Sequence, residues 1–176
     1  MVDKVIGLVG CGKSKLTHPA PAKDLYTGQL FKLARAYAER FCDGWGVLSA
    51  KHHFVLPDEV LAPYDLTLKQ LDKDYLKQWQ THANWGLFKK LPWEIIYAPE
   101  RLREVGGVRF RERKPTGLRG VRFVFLAGEA YEIALQWPRK YPATFPLRGM
   151  GVGKRLQWLS RRLSEAVPVA SQGQLF

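Results

Sequence analysis

Residues 7–21 read GLVGCGKSKLTHPAP, and Gly7, Gly12, Lys13 and Ser14 satisfy the spacing G-x-x-x-x-G-K-[ST] of a phosphate-cradling loop. Three more segments carry groups of the same kind: Ser49-Ala50-Lys51-His52-His53, Pro99-Glu100-Arg101, and Ala127-Gly128-Glu129 with Tyr131 just beyond. Backbone N–H groups in glycine turns, with lysines and serines beside them, hold anions. The expected phosphate- or nucleotide-binding set is Cys11, Gly12, Lys13, Ser14, Ser49, Lys51, Tyr64, Gly128 and Tyr131. Glu59 and Glu129 can supply a carboxylate for nucleophilic or acid/base work, and with Lys51 they are the catalytic candidates. Each residue also has a plainer reading. Cys11 at a strand end packs as a small apolar group, and Glu129 favours a helix N-terminus through the macrodipole. His52 and His53 are neighbours on an extended segment, point opposite ways, and make a poor joint metal site.

The elements that must position these groups alternate. Lys4–Val9 is an apolar run of the buried-strand type, and Gln29–Phe41 is an amphipathic helix with Leu30, Phe31, Ala34 and Ala38 on one stripe. Trp45–Ser49 reads as a second strand, Glu94–Ala98 as a third and Val121–Leu126 as a fourth. Residues 50–65 read as a long loop with turn signals. Thr67 is placed to cap a helix through Leu71, Tyr75 and Trp79, and Glu129–Gln136 and Gly153–Leu163 read as the last two helices. The pattern predicts one α/β domain over 1–167, a mostly parallel sheet flanked by helices, followed by a flexible tail over 168–176. In such sheets ligands bind beyond the carboxyl ends of the strands, where all four chemical segments fall.

Charge adds a partner class. The chain has 28 Lys and Arg against 16 Asp and Glu, and the excess is one-sided: residues 89–176 hold 17 basic and 7 acidic side chains. Segment 101–120 has seven basic residues and only Glu104 and Glu112 as acids, with Gly106-Gly107 marking a hairpin or loop insertion. Arg109, Arg111, Arg113, Lys114 and Arg119, with Lys154, Arg155, Arg161 and Arg162 on the last helix, are the expected DNA-backbone contacts. A solvated edge strand protected by positive charge explains the first group equally well. Two isolated cysteines give no disulfide framework or zinc spacing, and no metal or cofactor is called for. No stretch of 18 apolar residues occurs, so a soluble cytoplasmic protein with no membrane partner is expected.

The blocks GCGKSK, PAPAKDLYTGQLF, LSAKHHFVLPDEVLAPYD, FLAGEAY and PLRGMGVGKRLQWL together resemble a bacterial and phage domain family often grouped with the peroxide-stress protein YaaA. The resemblance runs from about residue 5 to residue 163, and the family pattern often has glycine at the place of His53. It implies a DNA-directed, stress-related role. It also implies a proline-bearing loop after GCGKSK rather than a helix, in keeping with Pro19 and Pro21, which cannot continue one. No strand ends in an aspartate suited to magnesium, so the nucleotide-kinase reading ranks last.

The C-terminal residues QGQLF resemble peptides that dock on the replicative sliding clamp, with Leu175 and Phe176 as apolar anchors and Gln172 as the hydrogen-bonding group. The alternative is a tail folded back on its own domain. Two functions are left to compare: a DNA-linked protein acting on a nucleotide or base in the strand-end crevice, by N-glycosidic or base-modifying chemistry, and a non-catalytic DNA-binding or DNA-protection protein.

Overall fold

A computed structural model describes residues 4–91, 101–105, 108–112, 120–135 and 141–165. Its centre is a five-stranded sheet. β1 (Lys4–Gly10) has β3 (Gly44–Ser49) on one side and β8 (Val121–Leu126) on the other, both parallel to it. β9 (Ala143–Thr144) extends the sheet in parallel, and β4 (His53–Val55) closes the opposite edge antiparallel to β3. The chain is therefore a single α/β domain with a mostly parallel central sheet flanked by helices, as the alternation of periods predicts.

Period-two alternation divides the core into two layers. Ile6, Leu8, Leu48, Phe123 and Phe125 face α3 (Lys73–Lys90) and α4 (Glu129–Leu135), which bury Trp79, Ala83, Leu87 and Leu135 against them. Val9, Val47, Val124 and Leu126 face α1 (Ala22–Leu25), α2 (Gln29–Phe41) and α5 (Val152–Glu165). On that side α2 contributes Phe31, Ala34 and Ala38, and α5 contributes Leu159. Tyr37 on α2 stacks against Trp158 on α5 with ring centres 5.4 Å apart, and Arg40 donates to the Leu163 carbonyl at 2.8 Å. The turn after α2 is fixed by Asp43, whose carboxylate accepts from the Val5 N–H at 2.8 Å and from Lys4 Nζ at 3.2 Å.

Two expectations change. Residues 50–65 are not wholly loop: they contain β4 and β5 (Val60–Leu61), the latter paired with β2 (Ala20–Pro21). Short apolar pairs such as Phe54-Val55 sit too close to turn residues to show a period. The helix cap is Asp72, whose side chain accepts from the Tyr75 N–H at 2.8 Å, while Thr67 precedes only a 3₁₀ turn over Leu68–Gln70. The expected strand Glu94–Ala98 lies outside the described residues. The 101–120 insertion does form a hairpin, β6 (Arg101–Val105) with β7 (Val108–Glu112), in which Arg109 pairs with Glu104 and Arg111 with Leu102 along the backbone.

At two positions of the sheet the packing itself requires glycine. A Cβ on Gly46 would come within 2.5 Å of the Phe54 ring and 2.9 Å of the Val55 carbonyl. A Cβ on Gly10 would meet the Ala127 Cβ at 2.9 Å, so glycine lets the ends of β1 and β8 converge.

Candidate functional site

The strand order puts β1 between β3 and β8, so successive segments leave the carboxyl end of β1 in opposite directions. This is the switch point at which open α/β sheets bind ligands. A cavity of about 630 Å³ opens there. Cys11, Gly12, Lys13 and Lys15 line it after β1, and Gly128, Glu129, Ala130, Tyr131 and Ile133 line it after β8 and along α4. The segment Asp65–Lys69 forms a third wall, and Leu30 and Arg155 complete it. Its charged groups are Lys13, Lys15, Lys69 and Arg155 against Asp65 and Glu129, a cationic surplus over an aliphatic and tyrosine floor.

Local geometry accounts for each wall. Residues 11–19 contain no helix; the loop instead folds back, with Lys15 bridged to Tyr26, Leu16 N–H donating to the Leu25 carbonyl at 2.9 Å and Thr27 N–H to the Ser14 carbonyl at 3.0 Å. Lys15 Nζ donates to the Lys13 carbonyl at 3.1 Å and sits 4.3 Å from the Tyr64 ring centre, a cation–π placement. Arg155 enters from α5, anchored by Nε to the Met150 carbonyl at 2.7 Å, with its guanidinium next to Gly128. Glu129 accepts from the Gly149 N–H at 3.2 Å.

Beneath the cavity lies a cluster of hydroxyls. The Tyr131 hydroxyl is 2.8 Å from Cys11 Sγ. Tyr64 OH is 2.7 Å from Ser49 Oγ and 2.9 Å from Tyr26 OH. Ser49 is fully buried: its Oγ accepts from the His52 N–H at 3.0 Å, and its carbonyl accepts from Trp79 Nε1 at 2.8 Å. Burial, then the nearby Cys11 sulfur, push the Tyr64 and Tyr131 phenols far above their ordinary value. The same two causes push Tyr26 up to about 12. All three stay protonated and keep a hydrogen to donate.

The sequence candidates separate on this frame. Cys11, Gly12, Lys13, Gly128, Glu129 and Tyr131 meet at the cavity. Ser14, Ser49, Lys51, Tyr64 and Glu59 are not among its lining residues. Ser49 is occupied within the hydroxyl cluster, and Lys51 is exposed with its Nζ 5.9 Å from the Tyr64 ring centre. Glu59 is committed elsewhere. Its carboxylate accepts from the Leu56 N–H at 2.6 Å and pairs with Lys90 Nζ at 2.7 Å. The four basic residues of α5 have different surroundings: Arg155 turns into the cavity, while Lys154, Arg161 and Arg162 are exposed, Arg161 pairing with Glu165 at 2.5 Å and Arg162 lying over the Trp158 ring. Arg109 and Arg111 lie on β7, whereas Arg113, Lys114, Arg119, Gln172, Leu175 and Phe176 lie outside the described residues.

Sequence reasoning missed Lys15, Asp65 and Lys69. Lys15 had a usable signal, since Lys13-x-Lys15 in an extended loop repeats on one side. Asp65 and Lys69 had none, because their place depends on how the 3₁₀ turn packs against α4.

The family profile that matches residues 6–105 is described as a family of unknown function, DUF6884. The chain belongs to this family. The match takes in GCGKSK and LSAKHH but ends before FLAGEAY and the Arg155 helix, so the wall formed by Gly128, Glu129, Ala130, Tyr131, Ile133 and Arg155 lies beyond it. Among curated proteins the chain is similar to the uncharacterised protein YfjM of Bacillus subtilis, 35% identical over 71 residues. That alignment covers 36% of this chain and 47% of YfjM, about half its length. No solved structure matches. Among the described residues no helix is long and apolar enough to cross a membrane, and no group of three metal-ligating side chains occurs.

Proposed function

We propose that this DUF6884 protein holds a phosphate-bearing nucleotide, free or within DNA, in the crevice between β1 and β8. The observation that carries the reading is the convergence of Lys13, Lys15, Lys69 and Arg155 on one cavity at the sheet's switch point. A volume of about 630 Å³ falls inside the roughly 300–1,000 Å³ range of small-ligand sites. Cations around the rim suit phosphate; the aliphatic and tyrosine floor suits an uncharged ring. Base-directed chemistry in this crevice would fall to Cys11, Glu129 and Tyr131, because Glu59 is held by Lys90.

Non-catalytic DNA binding of the YaaA type is the second reading. The excess of basic over acidic residues in 89–176 and the exposed Lys154 on α5 favour it.

Binding of mononucleotides and of fluorescent single- and double-stranded oligonucleotides across a salt series tests both readings. Crevice binding predicts that Arg155→Ala weakens mononucleotide affinity at least about tenfold, near 1.4 kcal/mol, while Lys51→Ala changes it less than about twofold, under ~0.5 kcal/mol. Oligonucleotide affinity that falls steeply with log salt yet ignores Arg155→Ala would favour the second reading. No binding of either ligand would overturn both.

A further inference from the structure

Cys11 stands out once the other groups of the crevice have been assigned. It lines the cavity, is partly exposed, and follows directly on β1 with its N–H donating to the Leu48 carbonyl at 3.0 Å. Its sulfur has an unusual environment. Tyr131 OH lies 2.8 Å away, within hydrogen-bonding distance. The phenol, held protonated by its burial, has a hydrogen to offer the sulfur. A hydroxyl that donates to a sulfur supports negative charge as it develops there. Lys13, Lys15 and Arg155 line the same cavity and attract an anionic reactant to it.

We propose that Cys11 is a nucleophilic thiol that bonds covalently to an electrophilic carbon of an anionic, nucleotide-like ligand, with Tyr131 as the hydroxyl that supports the sulfur. In this step the sulfur gives a lone pair to the carbon and a C–S bond forms. The group leaving that carbon departs with its bonding pair, and the thiol proton passes to solvent. The inference rests on the reading of the crevice as an anion site. It assigns Cys11 a chemical role that its packing leaves open.

The second cysteine supplies an internal control. Cys42 is half-buried between α2 and β3, and burial pushes its thiol up to about 11, so it reacts slowly near neutral pH. The experiment compares iodoacetate, an anion, with neutral iodoacetamide on the intact protein. Rates are read per cysteine by mass spectrometry and referred to the rates of N-acetylcysteine.

Cys11 is expected to react faster than the free thiol with both reagents. Its preference for iodoacetate should exceed that of N-acetylcysteine by about tenfold or more. Lys13→Ala should reduce that preference, read as the ratio of the iodoacetate rate to the iodoacetamide rate. Tyr131→Phe, which keeps the ring, should lower both rates, and an unchanged thermal midpoint would separate this from misfolding. Fast labelling by both reagents without anion preference would sink the anion site and leave the nucleophile standing. Cys11 labelling no faster than N-acetylcysteine by either reagent would overturn the nucleophile, even if mononucleotides bind.

Discussion

His53 offers a test of the turn that carries Ser49 and His52. Its φ is +63°, alone among the described non-glycine residues in being positive. The cause is the hairpin geometry. Ser49 of β3 pairs with His53 of β4 across Ala50-Lys51-His52, and the chain leaves this turn at His53 in the left-handed region normally filled by glycine. Removing the imidazole also removes its contact with His82, at 4.9 Å between ring centres, so wild type is a poor reference. Comparing His53→Gly with His53→Ala cancels that loss. A Cβ in the left-handed region costs roughly 1–2 kcal/mol, and glycine gives back about 0.5–1 kcal/mol in chain entropy. The His53→Gly variant should therefore be more stable than the His53→Ala variant by about 0.5–1 kcal/mol. For a chain of this size that is about 1–4 °C in Tm. Urea and thermal denaturation of the two variants side by side measure it. An alanine variant as stable as the glycine variant would refute the strained-turn argument.

The Glu59–Lys90 pair and the partly buried histidines give two further tests. Glu59→Gln should lower stability by about 0.5–1 kcal/mol, because both partners are about a third exposed and the pair is partly screened. Calorimetric unfolding measures that loss, and mononucleotide affinity should not move; a loss of affinity would return Glu59 to the candidate site. Burial, then Lys51, lowers the His52 pKa below 6.5, and burial, then His82, lowers that of His53. Because the unfolded chain takes up these protons first, stability is full above about pH 6.5 and falls as pH drops through the folded values. Urea midpoints between pH 7.5 and 5 should show the decline, and His52→Gln should flatten it. A slope unchanged by that substitution would assign the decline to other groups.

The sheet was legible because its apolar runs had period two or were continuous, as in Lys4–Gly10 and Val121–Leu126. The helix Gln29–Phe41 was equally plain from its stripe. Gathering Cys11, Lys13, Gly128 and Tyr131 needed only the rule that ligands sit at strand ends. What failed depended on contacts between distant segments. Glu59 looked available until Lys90, 31 residues away, took its carboxylate. Arg155 looked like one of four equivalent cations until the close packing of α5 on α2 fixed which way each pointed. Ser49 looked like a phosphate ligand until Tyr64 and His52 had filled its hydrogen bonds.

The pairing of β1 with β8 has a consequence for synthesis. Ile6 lies beside Phe123, so one edge of the central strand stays unpaired until residues 121–126 have left the ribosome. Until then it exposes free N–H and carbonyl groups of the kind that recruit other chains. The stretch recognised as the family domain ends at residue 105, before that edge is covered. A nascent chain of that length would also lack Gly128, Tyr131 and Arg155, and so one side of the crevice. Closure of the sheet and assembly of the binding site are thus late events in translation, and the site is not complete before α5 has emerged to pack on α2 and bring in Arg155.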